Sequence, residues 1–172
     1  MSSILYLSIR VLHVVLAAVW MGSTLFLGVF LMPVIEQLGD PGGSVMIGLA
    51  RRKLNAFISA VAGTTVLSGI WLFWRFTAGF TPDLSASHAG LCFSIGGAAG
   101  LLALIIGGSV VGRSAQKAVD LAEKMALLPE GQPRAALATQ AAGFRQRTQT
   151  FGTVVIVLLL IAMAFMAIGH YV

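Results

Sequence analysis

Four stretches of the chain are long, apolar and free of acidic residues, and this constrains the fold more than any other feature. A bilayer core about 30 Å thick takes roughly 20 residues of helix at 1.5 Å each. The stretches run from about Ile4 to Met32, closed by Pro33, then Leu54 to Phe76, Ser87 to Val111 and Phe151 to Tyr171. Each is long enough to cross. Only 10% of the residues are charged, against about a quarter in a water-soluble domain, and mean hydropathy is +0.93. The composition therefore predicts a single all-α membrane domain, four transmembrane helices in an antiparallel bundle. A cleaved leader does not account for the first span, because its apolar length is that of a full crossing.

Lys and Arg concentrate on the cytoplasmic side of such proteins. Arg51, Arg52, Lys53, Arg113, Lys117, Lys124, Arg134, Arg145 and Arg147 fall on one side, nine in all, and only Arg10 and Arg75 on the other. The asymmetry puts both termini outside, at the periplasmic face of a bacterial inner membrane. It also accounts for the net charge of +5 without a nucleic-acid partner. Tyr6, Trp71, Trp74 and Tyr171 then lie near the outer interface, where amphipathic rings are favoured.

The polar segment 113–150 carries Val119, Ala122 and Ala126 at helical spacing. It breaks at Pro129 to Pro133 and resumes with good helix formers from Ala135 to Ala142. It reads as spans three and four continuing into the cytoplasm as a helical hairpin; a pair of interfacial helices on anionic lipid is the alternative. The glycine-rich stretch Gly39 to Gly48 reads as a flexible link. Gly96, Gly100, Gly108 and Gly112 recur at multiples of four in span three. Such a stripe lets helices approach closely in lipid, either within the bundle or in a homo-oligomer.

Ionisable residues inside a span are expensive, which draws attention to Arg10 and His13, three residues apart on one face with Tyr6, Ala17 and Trp20. Arginine at that depth can snorkel to phosphates; a short imidazole one turn deeper cannot. His88 and His170 fall at the same outer side. Cys92 follows His88 by four residues, and Met166 precedes His170 by four with Met163 three before that. Imidazole, thiolate and thioether suit copper; imidazoles on facing helices suit haem iron. The candidate ligands are thus His13, His88, His170, Cys92 and Met166, with Arg10 placed to neutralise a haem propionate or another anion. The competing reading places His88 and His170 in the polar interface and gives Cys92 and Met166 packing roles. A lone cysteine excludes disulfides and CxxC motifs. Walker loops, dinucleotide fingerprints and intramembrane carboxylates are also missing from the sequence.

The run Leu7-Ser-Ile-Arg-Val-Leu-His13-Val-Val-Leu-Ala-Ala-Val-Trp20-Met-Gly22 resembles the first helix of a group of small bacterial membrane proteins. That group includes the CopD-like copper-resistance proteins and the HemJ-type protoporphyrinogen oxidases. Arg51-Arg-Lys-Leu and Gly69-Ile-Trp-Leu in span two extend the likeness over about the first half of the chain. The resemblance implies a b-type haem on His13, and hence a haem-dependent membrane oxidoreductase, or a role in copper uptake or tolerance with a periplasmic or membrane partner. The lysine of the oxidase third span has no counterpart between Ser87 and Val111. A cofactor-free accessory or assembly subunit is the reading from a different class.

Overall fold

The structure, a computed structural model, describes residues 3–129 and 131–172. Glu130, in the expected hairpin turn, lies outside the described residues, as does the side chain of Asp40. Among the described residues the chain is helical with no strand. The long helices are α1 (Ser3–Leu38), α3 (Leu54–Phe76), α5 (His88–Ala126) and α6 (Gln132–Ile168), and all four are long and apolar enough to cross a membrane. Between them lie α2 (Asp40–Arg51) and the short α4 (Pro82–Ser85).

Helix α1 packs along α3, and α5 packs along α6; lighter contacts join α3 to α5 and α1 to α6. One core, drawn from all four, consists of Trp20, Met21, Val61, Ala62, Ala103, Val155, Ile156 and Leu159. Small residues on α3 and α5 let the backbones approach while Trp20 and Leu159 fill the space between. The outward faces stay apolar, with Phe30 60% and Leu67 70% exposed, as expected of surfaces solvated by lipid. A second core of Ile35, Met46, Ala118 and Val119 joins the end of α1, α2 and the polar half of α5, with Phe144 of α6 against it.

Three expectations are corrected. Pro33 does not close the first helix, which continues to Leu38. A wide i→i+5 turn over Phe26–Leu31 precedes it and relaxes the backbone pairing that a proline would otherwise break. The stretch from Gly39 to Gly48 is not a flexible link, because 40–51 is helical. Gly39, at φ +63°, makes the corner, and Gly42 is pressed against Ile35, where a Cβ would collide with the Ile35 carbonyl oxygen. Gly39 thus serves the corner and Gly42 the close packing. Finally, the last helix ends at Ile168, short of the expected Tyr171, so His170 occupies the terminal turn.

The loop after α3 is ordered by Thr77, which is fully buried. Its hydroxyl donates to the Phe73 carbonyl at 2.9 Å and accepts from the Phe80 amide at 3.0 Å. Ser87 caps α5 by accepting from the Gly90 amide at 3.1 Å.

Candidate functional site

His13 turns inward from α1 toward α3. Its Nδ1 lies 2.8 Å from the Thr65 carbonyl oxygen and 3.1 Å from the Ser68 hydroxyl. A carbonyl only accepts, so Nδ1 carries the ring proton in this arrangement. The Ser68 hydroxyl donates to the Thr64 carbonyl at 2.7 Å, which leaves its lone pairs to receive His13. Both Thr65 and Ser68 are buried, and the Thr65 hydroxyl is itself bonded back to Val61 at 2.8 Å. Hydroxyls bonded to the preceding turn in this way are satisfied without water and keep fixed rotamers. The imidazole therefore has one tautomer and one orientation, with the lone pair of Nε2 left bare.

Gly69 completes the seat. A Cβ there would lie 2.8 Å from His13 Cε1 and 3.4 Å from Nδ1, so the ring rests on bare backbone. Nε2 has no hydrogen-bond partner among the described residues, yet it is not sealed in. Among the described residues the buried side-chain nitrogen that lacks a partner is Arg145 Nε, in the first half of α6.

Arg10, one turn nearer the helix start, reaches across to the last element. One of its Nη atoms lies 3.0 Å from His170 Nε2. The His170 ring meets Phe93 of α5 edge-on at 5.4 Å, and Phe93 meets Phe76 of α3 at 5.2 Å. Gly169 is buried against Phe93. Tyr6 and Trp71 approach at 6.4 Å on the same end. This small cluster draws on α1, α3, α5 and the turn after α6.

The other expected ligands are not gathered around His13. His88 is exposed at the start of α5, and Cys92 is half-buried one turn on. Met166 lies over Gly96, its Cγ and Cε each 3.3 Å from where a Cβ would stand. Met163 is exposed. Among the described residues no group of three or more His, Cys, Asp or Glu is arranged to hold a metal ion. Of the glycine stripe, Gly96 is covered within the chain by Met166 and Ala162, while Gly100 and Gly108 meet nothing within 4 Å.

Sequence reasoning singled out His13 and Arg10, touched Gly69 only as part of a resemblance, and passed over Thr65, Ser68 and Phe93. The available signal was Thr64, Thr65 and Ser68 clustered in an otherwise apolar span, one turn apart and followed by glycine. Against known protein families, curated proteins and solved structures, the chain matches none.

Proposed function

We propose that the chain is a four-span inner-membrane protein that holds a redox-active metal through Nε2 of His13, with a b-type haem as the group its residues suit best. One observation carries this reading: His13 donates its Nδ1 proton to a backbone carbonyl and presents a bare Nε2. That is the arrangement in which outer partners fix the tautomer and direction of a metal-binding imidazole. Haem iron is satisfied by one protein imidazole, whereas copper sites draw on several converging donors. That His13, His88, Cys92 and His170 form no group of three or more among the described residues favours the former. His170 Nε2 is engaged by Arg10, which gives His170 a role beside the site.

Bound there, a haem supplies one-electron redox chemistry for electron transfer or for oxidation of a small membrane-soluble substrate. The chain's own residues do the positioning. Thr65 and Ser68 hold the proton on Nδ1, Gly69 leaves the room that the ring occupies, and Trp20 is part of the buried core. The resemblance of span one to CopD-like and HemJ-type proteins points the same way.

The proposed architecture is an antiparallel bundle with both termini periplasmic. Helices of 36, 39 and 37 residues are roughly 54 to 58 Å long at 1.5 Å per residue, well beyond the roughly 30 Å core. The excess of α5 and α6 carries the polar, basic residues and packs on itself through Val119 and Phe144, which supports a cytoplasmic hairpin. The open glycines of α5 supply a face for a homo-oligomer.

An absorption spectrum of the purified protein tests the reading. Reduced-state Soret and α bands that disappear in His13→Ala are the expected result. Stoichiometric copper without those bands replaces haem by copper. With neither, the imidazole serves as a clamp between α1 and α3, and the protein is a cofactor-free subunit.

A further inference from the structure

A guanidinium only donates, so the His170 nitrogen facing Arg10 is unprotonated and the ring proton of the neutral imidazole sits on Nδ1. The pair consequently offers nothing but donors to its surroundings. Arg10 has five N–H groups, its other N–H groups have no partner among the described residues, and His170 adds Nδ1–H. No carboxylate contacts either side chain among the described residues, so the net positive charge is not met from within the protein. His170 is exposed and Arg10 half-exposed.

The surroundings narrow the ligand. Leu7 and Val11, flanking Arg10 on α1, are 59% and 54% exposed and apolar, as for a lipid-facing surface. Tyr6 and Trp71 mark the interface level, and Phe93 and Phe76 wall the other side. A planar fork of donors at the edge of an apolar belt matches a phosphate in the headgroup layer.

We propose that Arg10 and His170 together form a binding site for the phosphodiester of a membrane phospholipid, clasped between the first helix and the turn after the last. The chemistry recognised is a tetrahedral oxyanion. Its lipid source is favoured by the apolar flank, along which acyl chains can lie. The site adjoins His13 but uses other side chains, so His13→Ala and Arg10→Gln test the two proposals independently.

The test is thermal unfolding of the full chain in detergent, titrated in turn with short-chain phosphatidylglycerol, inorganic phosphate and a phosphate-free alkyl glycoside. Phosphatidylglycerol is expected to raise the Tm saturably and the glycoside to leave it unchanged. Loss of a charged hydrogen-bonding partner should raise the half-saturating concentration about tenfold in Arg10→Gln. His170→Phe, which keeps an aromatic ring against Phe93, should raise it by a smaller factor, and Arg75→Gln should not change it. Equal loss in Arg75→Gln would mean diffuse attraction and overturn the site. Equal stabilisation by inorganic phosphate would overturn the lipid source, and absence of any phosphatidylglycerol shift would overturn both. Should Arg10→Gln fail to fold, Arg10→Lys decides: it keeps the charge but not the fork, and unchanged affinity there refutes bidentate recognition.

Discussion

Gly69→Ala places a methyl group 2.8 Å from His13 Cε1, closer than real carbon contacts allow. The α3 backbone that bears it is packed against α1, and the ring is held at Nδ1 by bonds of 2.8 and 3.1 Å to the same helix. Either the helices separate or the imidazole swings away and forfeits those bonds. Overpacking of a filled interior costs about 1 to 3 kcal/mol. Hydrogen bonds between membrane helices add about 0.6 to 2 kcal/mol when broken. The expected loss is therefore on the order of 2 to 4 kcal/mol, several degrees in Tm for a chain of this size. A double-mutant cycle isolates the cause. In a His13→Ala background the obstacle is gone, so Gly69→Ala should be near neutral when melting is followed in detergent by circular dichroism. If Gly69→Ala destabilises the His13→Ala protein as much as the wild type, the ring is not what rests on Gly69, and the site geometry is wrong.

Gly42→Ala sets a Cβ on the Ile35 carbonyl, which cannot move aside, whereas Gly97 has nothing within 4 Å. Gly42→Ala should lower the Tm while Gly97→Ala leaves it unchanged or raises it, helix propensity contributing up to about 1 kcal/mol of stability; the reverse order would disprove the packing of α2. Lys53 stands at φ +56°, in the left-handed region, just before α3. Lys53→Gly should therefore be neutral or stabilising by about 1 kcal/mol in chemical denaturation, and a clear destabilisation would show that the corner is not left-handed.

What was readable in the residues, and what was not, follows from the physics involved. Burial of peptide groups in lipid admits little besides helix, so length and hydropathy determined four helices long and apolar enough to span a membrane. The cost of an ionisable group within an apolar span marks out Arg10 and His13 from the residues alone. Pro33 and the glycines from Gly39 to Gly48 misled, because proline and glycine punctuate by local rules. Here the wide turn just before Pro33 relaxed the backbone, and the corner at Gly39 folded Gly42 back onto Ile35, seven residues away, so neither Pro33 nor Gly42 ended its helix as those rules predict. Tertiary structure alone decided what each histidine faces. His13 meets Thr65 and Ser68 across 52 and 55 residues, and His170 meets Arg10 across 160. Spacing along one helix specifies a face, but which partner lies opposite depends on how the helices rotate and stack, and no single span encodes that.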